Sequence, residues 1–374
     1  MHRVAWVRVG ALGDLLVGLA SLVETLEKWS DSKLTVVGSA LWTQIIEPGF
    51  FPQIDRIAVI EKRADDVRVF EIRDGRWAEV GRSTLRAQYQ DCGVVFNTRV
   101  DSPRQGFPAF FAGVGERWGS AEGFAGFIYN RRARHNGKDP LIHERDVPLL
   151  LMDEAEGRIV RKGRTLSEAL AMSPRVQRWK AKGLPAPLRL KQDIATAVAG
   201  AAVGAYVLVN PTSSRREKAW PSARFRELIL ELEKNVNAEV LVLGSPQETD
   251  WLREVAIGGL GEREFRIVQP RSIGELFQVV AGARWLLTNT SSVQFIAAAV
   301  QTPVLTLMGR AIPEIWGPLG PKDKIVRGVE PNEIADMFIR EQRAYESIVV
   351  RQVREALMSL DMDRQTSTWG NEKW

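Results

Sequence analysis

The sequence has few of the residues that build cross-links and metal centres. Its 374 residues contain a single cysteine, Cys92, and three histidines. One thiol can form neither an intramolecular disulfide nor a thiolate cluster, and the histidines lack metal-ligand spacing. We therefore expect no bound metal. Cys92 precedes the apolar run Val94-Val95-Phe96, which favours a small buried hydrophobe over a reactive thiol.

Long apolar runs and nucleotide-loop signatures are also missing. No run approaches the ~18 residues of a membrane span, and no signal peptide precedes the first predicted strand, so the expected location is the cytoplasm. The turn Gly10-Ala11-Leu12-Gly13 lacks the three-glycine dinucleotide fingerprint, and no lysine follows a glycine-rich loop. These absences argue against a dehydrogenase or a P-loop NTPase.

The remaining composition is that of an ordinary globular protein, with 45% hydrophobic and 26% charged residues. The length suits two domains. A formal net charge of +5 is compatible with phosphorylated substrates or an anionic membrane surface, and is too small to indicate nucleic acid by itself.

Strand and helix patterns alternate through both halves, which predicts an α/β fold with doubly wound parallel sheets. The Pro-, Lys- and Arg-rich segment from Ser173 to Lys191 predicts a linker, and we assign the domains to residues 1–180 and 181–374. First-half strands are predicted at Ala5–Val9, Leu34–Val37, Arg56–Ile60 and Gly93–Phe96, with helices at Leu15–Trp29 and around Leu41–Ile46 and Gly106–Val114. Second-half strands are predicted at Tyr206–Val209, Glu239–Leu243, Phe265–Val268, Trp285–Thr288 and Val304–Met308.

Three segments of the chain are predicted to depart from this alternation. The runs Val67–Ile72 and Trp77–Val80, joined through Asp74-Gly75, predict an inserted β-hairpin. Arg131 to Asp146 is polar and basic, and we expect a long loop there. The chain ends in predicted helices at Glu333–Ser347 and Val350–Leu360, and we expect Asp361–Trp374 to be frayed.

Asp14 is the most informative residue, because it follows the first predicted strand and opens the first predicted helix. Ligands of open α/β sheets bind at the carboxyl ends of the strands. A helix N-terminus stabilises negative charge, which suits a general base better than a general acid.

Two second-half loops have the residues of a phosphate site. Residues 210–221 follow a buried-type strand and supply hydroxyls, backbone amides and Lys218, while residues 288–292 open a helix. Such groups bind phosphates. Simple helix capping with solvated charges explains each loop about equally well. A third turn, Met308-Gly309-Arg310, leaves the next strand at the same sheet edge.

In this order and spacing, the motifs resemble those of glycosyltransferase family 9, the heptosyltransferases. Gly10-Ala11-Leu12-Gly13-Asp14 resembles the small-Leu-Gly-Asp opening of that family, and Lys218-Ala219-Trp220-Pro221 resembles its Lys-x-Trp-Pro donor loop. Asn289-Thr290-Ser291, followed by Thr302-Pro303-Val304 and Gly309, resembles its Asp-Thr-Gly helix and next strand. Weaker likenesses are Ile54-Asp55-Arg56-Ile57 and Val94 to Arg99. The resemblance spans roughly residues 1 to 320.

The resemblance implies a GT-B fold, with two Rossmann-like domains facing a cleft, and an inverting, metal-independent transferase without a cofactor. Its donor is a nucleotide-diphospho-sugar, typically ADP-heptose, and its acceptor is the lipopolysaccharide core or another glycan. We expect a peripheral association with the cytoplasmic membrane face and no nucleic-acid partner. The residue roles carried over are Asp14 as the base, donor binding by Gly13, Thr212, Ser213, Lys218, Asn289, Thr290, Ser291 and Gly309, and acceptor binding by Asn97 and Arg99.

Three positions depart from the family pattern, since Asn289, Ser291 and Gln294 stand where the family usually has Asp, Gly and His. These departures motivate an alternative, a non-catalytic GT-B binding or assembly subunit with a degenerate donor site. An epimerase on the same fold is a third possibility, although it requires more acid–base residues than the sequence offers. For the arginines at 99, 104, 131, 132 and 134, contacts with acceptor phosphates and solvated surface charge are both open.

Overall fold

The computed structural model describes residues 3–61, 65–100, 103–120, 127–133, 142–160, 164–186, 203–257, 264–320, 322–331 and 333–365. The chain divides into two compact units, Met1–Arg189 and Leu190–Trp374. Each unit is built around its own β-sheet.

The first unit contains an eight-stranded sheet within its described residues, in the order β5-β4-β3-β2-β1-β6-β7-β8. The strands are β1 Arg3–Arg8, β2 Lys33–Gly38, β3 Ile54–Ile60, β4 Val67–Arg73, β5 Arg76–Ser83, β6 Cys92–Val100, β7 Glu116–Ser120 and β8 Arg131–Ala133. All neighbouring strands are parallel except β3–β4 and β4–β5. The central strands are apolar runs buried on both faces, as parallel sheets require.

The helices of the first unit are α1 Leu12–Val17, α2 Leu19–Lys28, α3 Trp42–Ile45, α4 Leu85–Tyr89, α5 Pro103–Phe111, α6 Asp146–Ala155, α7 Leu166–Met172 and α8 Pro174–Lys182. The single helix predicted at Leu15–Trp29 is instead two helices that meet at Gly18. A Cβ on Gly18 would lie 3.1 Å from the Arg8 side chain and 3.2 Å from Trp6. Gly18 thus lets the chain pack closely over β1.

The predicted hairpin is confirmed and forms one edge of the first sheet as β4 and β5. Asp74 and Gly75 both have positive φ angles, 50° and 71°. Such angles are typical of the Asp-Gly turns that match the twist of a two-stranded ribbon. Trp77 donates from Nε1 to the Ile46 carbonyl at 2.7 Å, which fixes the hairpin against the segment after α3.

Two predicted irregular segments contain regular structure. The expected loop from Arg131 begins with strand β8, whereas residues 134–141 lie outside the described residues. The expected linker after Ser173 contains α8, in which the predicted domain boundary at residue 180 falls. Ser173 caps that helix by accepting from the Val176 N–H, and Val176 and Trp179 are buried one turn apart. The many charged residues of this segment obscured the pattern of a short amphipathic helix, so the sequence was interpreted as a linker.

Arg175 of α8 lies at the centre of a buried ion-pair cluster that joins α8 to α2 and α6. Its guanidinium contacts Glu24 at 2.8 Å, Asp153 at 2.5 Å and Glu156 at 2.8 Å. Asp153 is fully buried and also accepts from the Ser173 hydroxyl at 2.6 Å. These carboxylates raise the pKa of Arg175 against the opposing effect of its burial.

The second unit contains a six-stranded, wholly parallel sheet within its described residues, in the order β11-β10-β9-β12-β13-β14. The strands are β9 Tyr206–Asn210, β10 Glu239–Leu243, β11 Arg266–Val268, β12 Leu286–Asn289, β13 Val304–Met308 and β14 Lys324–Arg327. The helices are α9 Ser222–Asn235, α10 Thr249–Ala256, α11 Ile273–Gly282, α12 Val293–Ala299, α13 Pro313–Trp316, α14 Met337–Glu346 and α15 Val350–Gln365, with single 3₁₀ turns at Arg216–Lys218 and Pro246–Glu248. The prediction of a doubly wound sheet is confirmed.

The last two helices complete the hydrophobic core of the second unit. Tyr345 and Ile348 pack in one cluster with Trp220 and Phe225, together with three apolar residues of α15 (Val353, Leu357 and Leu360). The predicted frayed end begins later than expected, because α15 continues to Gln365. Residues 366–374 lie outside the described residues.

Candidate functional site

Asp14 lies in the first turn of α1, directly beyond the carboxyl end of β1. Its Oδ2 accepts a hydrogen bond from the backbone N–H of Ala11 at 3.0 Å. No described residue donates to Oδ1. The carboxylate is only partly buried, so it has one oxygen held by the helix N-terminus and one available to accept a proton.

Gly10 leaves the space that the Asp14 side chain occupies. A Cβ at position 10 would lie 2.4 Å from Asp14 Cβ and 2.6 Å from Oδ2. No real Cβ is tolerated at such distances, because both lie far inside van der Waals contact. The first position of the motif must therefore be glycine, because a side chain there would collide with Asp14.

Arg8 supports the same turn from below, and the sequence analysis missed it. Its side chain is 1% exposed. The guanidinium donates to the Asp14 carbonyl at 2.7 Å and the Thr98 carbonyl at 2.8 Å, and pairs with Glu144 at 3.3 Å. An arginine that ends an otherwise apolar buried strand was the available sequence signal.

The predicted acceptor residues have different surroundings. Asn97 is buried in β6 and donates from Nδ2 to the Tyr129 hydroxyl at 2.6 Å. Burial raises the pKa of Tyr129 to about 12, so its hydroxyl stays protonated. The Arg99 side chain lies outside the described residues, as do those of Arg104 and Arg134.

In the second unit, the loops predicted to bind phosphate leave three neighbouring strands. β9, β12 and β13 are adjacent and parallel, so residues 210–221, 289–292 and 309 meet at one edge of the sheet. The carboxyl edge of an open α/β sheet is where ligands bind. This adjacency is the physical basis for treating the loops as one candidate site.

Lys218 is the one loop cation that lacks a carboxylate partner among the described residues. Arg215 pairs with Glu217 at 3.2 Å, and Arg216 pairs with Glu254 at 2.7 Å. Lys218 ends the 3₁₀ turn and is partly buried. Its ammonium group is thus available for an anionic ligand.

Buried hydrogen bonds join the strand ends beneath this loop. The Asn210 carboxamide donates to the Thr212 hydroxyl at 3.1 Å and the Leu243 carbonyl at 2.9 Å, and accepts from the Thr288 hydroxyl at 2.9 Å. Ser291 Oγ lies 3.0 Å from Thr288 Oγ1. Thr212 and Ser291 therefore belong to a network that orders the edge, whereas Ser213 is partly exposed.

Asn289 makes the closest connection between β12 and the Lys218 loop. It is fully buried, accepts from the Trp220 N–H at 3.0 Å, and donates to the carbonyls of Pro211 at 2.8 Å and Thr212 at 3.3 Å. All three partners lie on the loop that contains Lys218.

Helix α14 packs over the end of β13, which the sequence analysis did not anticipate. A Cβ on Gly309 would lie 2.7 Å from both Glu341 and Tyr345. The Tyr345 hydroxyl donates to the Leu307 carbonyl at 3.2 Å and to Thr290 Oγ1 at 3.3 Å. Gly309 is thus required for the packing of α14 on this strand end. The Thr290 hydroxyl already has Tyr345 as a hydrogen-bond partner.

Gln294, the third departure from the family pattern, is buried at the start of α12. Its Nε2 donates to the Trp316 carbonyl at 2.9 Å, and its Oε1 has no hydrogen-bond partner in the described part of the chain.

The described residues contain neither a cluster of metal ligands nor a membrane-spanning helix. They contain no group of three or more His, Cys, Asp or Glu side chains that could hold a metal ion. No helix among them is both long and apolar enough to cross a bilayer.

Comparison with known proteins agrees with the motifs and the fold. The model of glycosyltransferase family 9 (heptosyltransferase) matches residues 151–343, just over half of the chain. The chain belongs to glycosyltransferase family 9. The matched range includes the Lys218 loop and the Asn289 strand end.

The match to an individual relative covers only part of the chain. Lipopolysaccharide heptosyltransferase 1 of Salmonella typhimurium is 31% identical over 117 residues, which cover 31% of this chain and 35% of that protein. The chain thus spans about a third of that relative's length.

Two solved structures share the fold over nearly the whole chain. The family 9 glycosyl transferase of Veillonella parvula has a TM-score of 0.69 at 16% identity, with 97% of each chain covered. The ADP-heptose lipopolysaccharide heptosyltransferase II of E. coli has a TM-score of 0.68 at 15% identity, covering 97% of this chain and all of that one. The predicted GT-B class, with two α/β domains, is confirmed.

Proposed function

We propose that this family 9 protein is an inverting glycosyltransferase that uses a nucleotide-diphospho-sugar, an ADP-linked heptose or a related sugar. The acceptor is the lipopolysaccharide core or another glycan. Family membership and the name of the E. coli heptosyltransferase with the same fold support this donor. The observation that carries the proposal is Lys218, a cation without a carboxylate partner in the described structure, on the strand edge that the family model covers.

Asp14 is the proposed general base. Inverting transfer needs one group that removes the acceptor hydroxyl proton while the oxygen attacks the anomeric carbon. Asp14 offers Oδ1 for this proton, while Oδ2 is held by the Ala11 N–H. Arg8 and Gly10 fix the turn on which the carboxylate lies.

The diphosphate leaving group is the proposed ligand of the second-unit edge. Lys218 supplies positive charge, Ser213 and Thr290 supply hydroxyls, and Thr212, Ser291 and Gly309 shape the edge. Gly13, which precedes Asp14 in the chain, is a further proposed donor-binding residue. Such preorganised charges are worth about 3–4 kcal/mol each in a transition state. The proposed chemistry uses no metal ion, because Lys218 and the helix amides near Thr290 supply the positive charge.

The acceptor side of the proposal includes Asn97, Arg99 and a peripheral association with the cytoplasmic membrane face. Phe110, Phe111 and Phe127 are exposed in the first unit, and the Phe110 ring packs edge-to-face against the rings of Phe111 and Phe127. The Arg117 guanidinium lies 5.3 Å from the centre of the Phe110 ring. Aromatic rings beside basic groups are typical of surfaces that contact anionic lipids.

Nucleotide-dependent melting tests the proposed function. We expect ADP and ADP-sugars to raise the melting temperature, since a ligand that binds only the folded protein stabilises it. UDP- and GDP-sugars serve as matched comparisons, and a larger shift with either would reassign the donor. No shift with any nucleotide would reject the transferase and leave a non-catalytic subunit.

A further inference from the structure

We propose that Asn289 is a positioning residue that holds the Lys218 loop in shape, and that it need not touch the donor. The inference rests on the proposed role of Lys218 in binding a nucleoside diphosphate. This role explains why the chain has Asn at position 289, where the family usually has Asp.

The contacts of Asn289 lie at both ends of one segment. Pro211 and Thr212 begin the loop after β9, and Trp220 ends it just before α9. Between them, Lys218 is held to the 3₁₀ turn by its N–H, which donates to the Arg215 carbonyl at 3.0 Å. One fully buried carboxamide therefore closes the loop whose tip is the proposed phosphate site.

The chemistry of these contacts requires an amide. The Trp220 N–H needs an acceptor, which either Asn or Asp supplies, but the Pro211 and Thr212 carbonyls need donors. An ionised Asp has no donor, so it would face two carbonyl oxygens. Of the two side chains of this shape, Asn and ionised Asp, only Asn can both accept from the Trp220 N–H and donate to the two carbonyls.

The consequence is that the departure at position 289 preserves a donor site. A degenerate site would be expected to lose the order of its binding loop. Here the fully buried amide has three partners, and the Lys218 ammonium stays without a carboxylate partner in the described structure. Asn289 acts on the ligand through Lys218.

A double-mutant cycle tests this coupling. We expect Asn289→Asp to weaken ADP binding about tenfold and Lys218→Ala to weaken it by a similar factor, with the double variant no weaker than Lys218→Ala alone. Effects that multiply would overturn the proposal, because Asn289 would then act independently of Lys218. An unchanged affinity in Asn289→Asp would overturn it as well.

A matched control separates positioning from general destabilisation. Asn130 in the first unit also bridges backbone groups, since it accepts from the Arg117 N–H at 2.8 Å and donates to the Gly115 carbonyl at 2.7 Å. Asn130→Asp should leave ADP affinity unchanged. Should Asn289→Asp fail to fold, Asn289→Ser keeps a single donor and serves in its place.

Amide hydrogen exchange provides a readout that needs no ligand. The Trp220 N–H should exchange faster in Asn289→Ala, which removes its acceptor, while amides of β13 keep their protection. Equal protection of the Trp220 N–H in the wild type and the variant would refute the positioning role of Asn289, whatever nucleotide the protein binds. Faster exchange in the variant, combined with a wild-type protein that binds no nucleotide, would support the positioning role of Asn289 but reject the proposed function.

Discussion

The strongest structural prediction concerns Arg8, whose guanidinium supports the Asp14 turn. The perturbation is Arg8→Met, which keeps most of the side-chain volume but removes every donor. The carbonyls of Asp14 and Thr98 then lose their charged partner, and Glu144 loses its ion pair.

The magnitude follows from these contacts. A hydrogen bond to a charged group is worth about 1.5–3 kcal/mol. The Glu144 side chain is 23% exposed, and a pair that reaches solvent adds little. Two hydrogen bonds thus give a loss of about 3–6 kcal/mol in the free energy of unfolding. A domain of this size loses about 2–4 °C of melting temperature per kcal/mol.

Thermal melting with a matched arginine variant is the assay. Arg82 lies on the hairpin strand β5, is 66% exposed, and pairs with Asp66 at 2.9 Å. Arg82→Met should lower stability by less than about 1 kcal/mol. Equal melting temperatures for Arg8→Met and Arg82→Met would refute the role assigned to Arg8.

Three further predictions test other parts of the structure. Lys218→Ala should weaken ADP binding by about tenfold in calorimetry, and an unchanged affinity would remove Lys218 from the site. Arg175→Met should lower the free energy of unfolding in urea by about 3–5 kcal/mol, because it leaves the fully buried Asp153 without an ion pair; a loss below about 1 kcal/mol would contradict this. Burial raises the pKa of Asp323 from 3.8 to about 7. The folded state therefore disfavours its ionisation, and this carboxyl should lower stability as pH rises from about 4 through about 7. Asp323→Asn should gain stability over the wild type from about pH 5 to about pH 8, and a constant difference would contradict the shift.

The parts of the fold that sequence predicted are those in which local signals agree with tertiary packing. The central strands of both sheets are apolar runs buried on both faces, so their pattern survives folding. The Asp74-Gly75 turn has the positive φ angles that its residues favour. These elements were predictable because backbone preference and burial point to the same structure.

The missed elements depend on distant partners. Strand β8 has three residues, Arg131-Arg132-Ala133, and forms the edge of the sheet beside β7. Helix α8 contains four lysines or arginines around Val176 and Trp179, and its burial depends on α2 and α6. Single-sequence patterns do not contain such non-local contacts.

The candidate site was predictable in its location and less so in its internal contacts. Strand ends at one sheet edge brought together Thr212, Lys218 and Thr290, as their order along the chain implied. The roles of Arg8, Asn289 and Tyr345 depend on buried hydrogen bonds across long sequence separations. Those contacts emerge only from the packed structure.

The central claim is that Asp14 removes the acceptor proton. Its most direct test measures sugar transfer and donor binding together in Asp14→Asn, which keeps the side-chain shape but loses the base. We predict that transfer falls by about 10²–10⁴-fold while ADP-sugar affinity stays within about twofold. Transfer at the wild-type rate, or a parallel loss of donor affinity, would contradict the claim.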